Sequence, residues 1–271
     1  MSLTDVMRAA DAVSADLGSY LEQLPAGEWR RPSDCAGWSV ADLVAHLVLV
    51  EFLLSTSLTR ALDGDSSPLP ESGGTVEGWR AYRTAEIARL SAQPTDQLLA
   101  AYRAGLKPVA EAQAKLLAAR DGSRPGWHPA GLRPATWFPG QWLVEITLHD
   151  WDLRVALDRE ARVNPAAAAA LGPEMRSRMP SCVNREKAAG LDGSVRIALA
   201  DSTSWLARIT AGRLETADDG QPDATIETDA GSYALVQTAR RPASFFAERG
   251  RWQTQGDRAL VDGLAAAFVG Y

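Results

Sequence analysis

Apolar periodicity divides the 271-residue chain into a helical part and a mixed part. It predicts an α plus α/β architecture, with a four-helix bundle over residues 1–162 and a smaller α/β domain over residues 163–271. Two observations carry this. Up to Leu157 the apolar residues recur at spacings of three and four, whereas past Asn164 they alternate in short runs bounded by turn residues. The length agrees, since domains hold roughly 100–200 residues each.

The first helix is expected from Leu3 to Leu24, where Val6, Ala10, Val13, Leu17, Leu21 and Leu24 share one face and Pro25-Ala26-Gly27 stops the run. A turn-rich link then runs from Arg31 to Trp38. Ser39, with Asp42 three residues on, reads as an N-cap with a capping-box partner, so a second helix should span Val40 to Leu62. Its middle is apolar nearly all round, which places it at the centre of the bundle. The Gly-, Ser- and Pro-rich stretch Asp63 to Gly74 reads as an exposed loop. Helices follow at Val76 to Leu90 and at Thr95 to Arg120, the latter with Pro108 as an expected kink or break. An irregular link, Gly122 to Pro139, precedes a last bundle helix from Gln141 to about Leu157. Links of this length suit a bundle that is not simply up and down.

In the second domain a helix is expected over Ala166 to Met179. Val195–Leu199, Trp205–Ile209 and Ala224–Thr228 read as paired strands, and Ala230 to Thr238 and Arg258 to Phe268 as helices.

Charge and composition exclude several function classes. A formal net charge of −6, with no basic cluster, argues against a nucleic-acid partner. The apolar stretch Leu43 to Leu54 is interrupted by His46 and Glu51 and is too short to span a bilayer, so no membrane association is expected. Met1-Ser2-Leu3-Thr4-Asp5 lacks a signal-peptide pattern, which points to the cytoplasm, and the two cysteines, Cys35 and Cys182, are expected as free thiols.

Glu145 and His149 are four residues apart on a predicted helix and so project from one face. His46, in the most apolar part of the chain, needs a polar partner and could complete a set of two histidines and one carboxylate. Such a set leaves coordination positions open and suits zinc, although iron(II) uses it too. Each residue also has a plainer explanation. Glu-x-x-x-His spacing arises by chance on surface helices, and a histidine such as His46 is often only a hydrogen-bonded core residue. His128 reads as an exposed loop residue, Cys35 as a turn residue with no base in evidence, and Asp152 either as a support for His149 or as part of a solvated face.

Two longer segments carry a resemblance. Pro32 to Leu47, PSDCAGWSVADLVAHL, and Glu145 to Leu153, EITLHDWDL, resemble the two signature stretches of the mycothiol-dependent maleylpyruvate isomerase family, within the DinB-like metalloprotein superfamily. Ala36 departs from the proline usual in the first stretch. The resemblance implies a DinB-like four-helix bundle followed by a sterol-carrier-like α/β domain. It also implies a divalent metal, usually zinc, held by His46, Glu145 and His149. The implied chemistry is that of a metal-dependent isomerase or S-transferase, in which an open metal position favours the thiolate of mycothiol. In the isomerase that thiolate adds to the double bond of maleylpyruvate, rotation follows, and elimination yields fumarylpyruvate. A second-domain arginine implicated in the isomerase directs attention to Arg240 and Arg241 as catalytic candidates here, with Arg80 and Arg83 behind them. The expected partners are a small electrophile and a low-molecular-weight thiol, on a monomer or homodimer. Two alternatives remain open at this point. One is a non-catalytic small-molecule or lipid binder that uses the sterol-carrier-like domain; the other is a family member with a regulatory role.

Overall fold

Ser2 and Ser39 open two bundle helices by one device. In the computed structural model, which describes residues 1–270, each serine Oγ accepts the N–H of the third helical residue, Asp5 or Asp42. Each aspartate in turn accepts the N–H of its serine, so two end groups are satisfied reciprocally. The helices are α1 (Leu3–Gln23), α2 (Val40–Leu62), α3 (Val76–Ser91) and α4 (Thr95–Ala118). A two-residue pairing of β1 (Pro125–Gly126) with β2 (Arg133–Pro134) then precedes α5 (Phe138–Val155). Helix α2 packs on α3, α4 and α5, while α1 packs on α4 and α5, so α1, α2, α4 and α5 form the four-helix bundle. Residues Ser2–Arg162 make up this compact unit.

Three local expectations are refined. Helix α4 runs unbroken through Pro108, which faces solvent, so water can serve the carbonyl left without a donor one turn earlier. The Asp63 to Gly74 loop is anchored rather than wholly exposed, since Leu69 and Ser72 are fully buried beneath it. Helix α5 starts at Phe138, with Pro139 in its first turn, where a missing N–H costs nothing.

The second unit begins at Val163. It contains α6 (Ala168–Cys182), α7 (Arg185–Ala188), β3 (Gly193–Leu199), β4 (Ser204–Thr210), β5 (Arg213–Ala217), β6 (Ala224–Thr228), α8 (Ala230–Gln237), α9 (Ala243–Ala247), β7 (Trp252–Gly256) and α10 (Arg258–Ala267). The sheet order is β5-β4-β3-β6-β7, antiparallel except for the parallel pair β3–β6, in which Ile197 faces Ile226. Alternate residues Val195, Ile197 and Leu199 are buried, as the sequence alternation requires. The architecture is the expected one, a helical bundle followed by a mixed α/β domain.

By length and composition α2 could cross a membrane, yet 78% of its apolar window is buried inside the protein, as in the core helix of a bundle. One of its residues is costly. Glu51 is fully buried, and neither carboxylate oxygen has a hydrogen-bond partner among the described residues. Gly105 of α4 makes room for it, since a Cβ there would land on the carboxyl group. Burial pushes the Glu51 carboxyl well above its ordinary range. The folded chain therefore holds a proton that the unfolded chain releases, and stability falls as pH rises from the unfolded glutamate range, about 4.3, toward the folded value. Glu51→Gln should stabilise the protein by about 1–3 kcal/mol at pH 8 and by less at pH 4.5. Urea unfolding at both pH values checks this; an equal effect at the two would contradict it.

Candidate metal centre

Helix α5 sets the geometry. Gln141, Glu145 and His149 follow at intervals of four and line one face, and Nε2 of Gln141 donates to Oε1 of Glu145 at 2.8 Å. That bond occupies Oε1 and leaves Oε2 to the histidines. Nε2 of His149 lies 3.3 Å from Oε2, and Nε2 of His46, brought by α2, lies 3.6 Å from it. The two imidazoles meet edge to face, with centroids 4.9 Å apart. Both histidines are 8% exposed, which leaves only a narrow opening to solvent.

The second ring nitrogen of each histidine is treated differently. Nδ1 of His149 is 2.8 Å from Oδ2 of Asp152, one turn further along α5, and Asp152 is itself buried. A carboxylate there fixes the ring and directs Nε2 toward Glu145. Nδ1 of His46 is buried with no hydrogen-bond partner among the described residues, and the Trp38 ring, 5.1 Å from its centroid, packs on the imidazole instead. Trp38 ends a folded loop in which Ser33 Oγ donates to the Trp38 carbonyl and Pro32 bridges to Ser39.

Electrostatics follow from this packing. Burial alone would raise the Glu145 pKa, but the hydrogen bonds and charge of His149 and His46 outweigh it and hold the carboxyl well below its usual range. For His149, burial is overcome by Asp152, Cys35 and Glu145, which raise the pKa well above that of free imidazole. His46 shifts the other way, because burial depresses it and Glu145 offsets that only in part. In the metal-free protein the charged form is thus favoured at His149, which lies between two carboxylates, and the neutral form at His46 beside it.

His46, Glu145 and His149 form a group able to hold an ion, their donor atoms lying within 4.8 Å of one another. Nitrogen and oxygen donors on a tetrahedral zinc ion, at 2.0–2.2 Å, stand about 3.3–3.6 Å apart. The observed 3.3 and 3.6 Å from Oε2 of Glu145 to the two imidazole nitrogens match that spacing.

The other sequence candidates sit on other elements. Arg240 and Arg241 follow α8 in the second unit, where both backbone N–H groups donate to the Leu235 carbonyl. The Arg241 guanidinium donates to the Arg240 carbonyl at 2.7 Å and lies 5.9 Å from the Phe245 ring centroid. Arg83, on α3 and half-buried, is the arginine whose charge acts on His46. His128 is half-buried rather than exposed, with Nδ1 accepting the Ala130 N–H and its ring against Trp137. Two neighbours of the site were not evident from sequence. Gln141 could have been found by extending the four-residue stripe back one turn. Cys35, whose Sγ lies 3.3 Å from Oδ2 of Asp152, has no local signal, being 117 residues away in the chain.

Comparison with known proteins gives one family and a fold. The model of the mycothiol maleylpyruvate isomerase N-terminal domain matches residues 10–154. A crystal structure of the mycothiol-dependent maleylpyruvate isomerase is similar over 89% of this chain and 90% of its own, with 17% identity and a TM-score of 0.59. A histidine-to-alanine mutant of that enzyme is similar over 95% of each chain, with 15% identity and a TM-score of 0.60. No curated protein matches the chain.

The two histidines should titrate apart in protein stripped of metal. His149 should remain an imidazolium well above pH 6.5, and the stability it lends should be present below that pH and be lost as pH rises through its folded pKa. His46 should lose its proton below pH 6.5. Imidazole NMR shifts followed against pH check the order; a reversed order would contradict the assignment of partners.

Proposed function

The chain belongs to the mycothiol maleylpyruvate isomerase N-terminal domain family. On that premise we propose that it is a cytoplasmic, divalent-metal-dependent enzyme using mycothiol, for isomerisation of a maleylpyruvate-like substrate or for S-transfer to an electrophile. The observation that carries this reading is the convergence of the His46 and His149 Nε2 atoms on one oxygen of Glu145. Three such ligands suit zinc and leave room for an exogenous group.

When bound, the ion supplies the positive charge that favours thiolate over thiol at neutral pH. The remaining roles belong to the chain. Gln141 holds one oxygen of Glu145 and so presents the other, while Asp152 fixes the His149 ring by accepting the hydrogen bond of its Nδ1–H. Burial of α5 and the Trp38 ring exclude bulk water, which strengthens every charge interaction inside. Arg83 contributes a positive charge felt at His46, suited to an anionic substrate or thiol, and Arg240 and Arg241 are the catalytic candidates that the family resemblance implies. Cys35 faces Nδ1 of His149 rather than Nε2, so the protein's own thiol does not stand in for the cofactor.

Elemental analysis of protein purified without a His-tag should find about one ion per chain at this site. His149→Ala should lose most of it, and Asp152→Asn should weaken affinity about 10–100-fold. Unchanged occupancy in His149→Ala would overturn the ligand assignment.

Turnover of maleylpyruvate, or of a general thiol-reactive electrophile, should rise with added mycothiol. Equal turnover after dialysis with no thiol present would refute the thiol-dependent reading and leave the metal assignment standing. Arg83→Met should raise KM for an anionic substrate by about tenfold with little change in kcat, as loss of a charged contact does.

A further inference from the structure

His149 presents its two ring nitrogens to two different groups of donors. Nε2 faces Glu145 and His46. Nδ1 faces Oδ2 of Asp152 at 2.8 Å and Sγ of Cys35 at 3.9 Å, and the sulfur is 3.3 Å from that same Oδ2. One thiol, one imidazole nitrogen and one carboxylate oxygen thus lie within 4.8 Å of one another, a second group able to hold an ion.

The spacing suits a metal with a thiolate ligand. With zinc–sulfur bonds of about 2.3 Å and zinc–nitrogen or zinc–oxygen bonds of about 2.0–2.2 Å, tetrahedral donors stand about 3.3–3.6 Å apart. The observed separations of 3.9, 3.3 and 2.8 Å lie on both sides of that figure, so a small movement of one side chain equalises them. The sulfur is held in place by the loop that carries it. The Asp34 N–H donates to the Asp152 carbonyl at 3.2 Å, tying the loop to α5. The Cys35 N–H donates to Ser33 Oγ, and the Trp38 N–H donates to the Cys35 carbonyl at 3.0 Å. Gly37, at φ +82°, takes the left-handed conformation that closes this turn. Cys35 remains partly accessible, which gives an ion a route in.

We propose that Cys35, His149 and Asp152 form a second metal site, for a thiophilic ion of the zinc or cadmium class, with His149 as the shared ligand. Sulfur and nitrogen donors disfavour magnesium and calcium, which take all-oxygen sites. An entering ion displaces the Cys35 thiol proton and the proton at Nδ1 of His149, and both go to solvent. With Nε2 engaged at the first site, the imidazole becomes a bridging imidazolate. Asp152 then changes from hydrogen-bond acceptor to metal ligand, so filling the second site removes the bond that steadies His149 for the first. Excess thiophilic metal therefore alters the first centre through a ligand common to both. The shared-ligand part rests on the proposed function; the thiolate site itself does not.

Anaerobic cobalt(II) titration of the stripped full-length protein, with a phosphine reductant and no added thiol, tests the two sites separately. The wild type should develop a near-ultraviolet sulfur-to-cobalt charge-transfer band and bind two ions. Cys35→Ser and Cys35→Ala should lose the band and bind one ion fewer, with circular dichroism confirming that the helices persist. His46→Ala should keep the band. No band in the wild type, or a band surviving in both Cys35 variants, would overturn the thiolate site. An undiminished ion count in His46→Ala would instead count against the first site.

Discussion

The Glu145 carboxylate, held between two imidazoles inside a helical bundle, is the constraint to which its surroundings answer. An isolated carboxylate taken out of water is costly, and here its cost is met by Nε2 of His149 at 3.3 Å, Nε2 of His46 at 3.6 Å and the Gln141 amide at 2.8 Å. Each partner imposes a demand of its own. His149 requires Asp152 on its far nitrogen, Asp152 ties the Asp34 N–H and so the Cys35 loop to α5, and the same loop lays Trp38 against His46. One buried charge thereby links α2, α5 and the segment between α1 and α2.

That linkage explains why the loop, although irregular, is tightly folded. Its turns are closed by Ser33, whose hydroxyl serves both the Cys35 N–H and the Trp38 carbonyl, and by the helix N-cap at Ser39. The cap positions the first turn of α2, and His46 follows two turns later. A shift of one residue in the start of α2 would rotate His46 by about 100° away from Glu145. Capping and ligand placement are therefore one feature seen at two scales. Glu51, five residues beyond His46, shows the contrasting case, a buried carboxyl with no such partners among the described residues, accommodated by Gly105 and favoured in its protonated form.

Much of this was legible in the sequence where the signal is local. The Ser39–Asp42 box and the apolar run that follows give α2 its observed bounds, and the four-residue spacing of Glu145 and His149 places both on one face of α5. The inner strands β3, β4 and β6 were visible because alternate residues are buried. The edge strands β5 and β7 were not, since Leu214 and Trp252 are their only buried residues and a half-solvated edge carries little alternation. The placement of Cys35 beside His149 joins residues 114 positions apart through a loop, and no periodicity encodes such a contact. Arg83 was likewise a minor candidate on sequence grounds, because only the packing of α3 on α2 brings its charge to His46.

The central claim is that two imidazoles and one carboxylate of this chain hold an ion and leave a position for an outside thiol. X-ray absorption at the zinc edge, on Cys35→Ser protein loaded with one equivalent of zinc so that the chain's own thiolate cannot contribute, tests it most directly. The account predicts a first shell of nitrogen and oxygen with two imidazole scattering patterns and no sulfur, with one sulfur scatterer appearing when mycothiol is added. A shell that already contains sulfur before addition, or one that stays unchanged after it, would contradict the account.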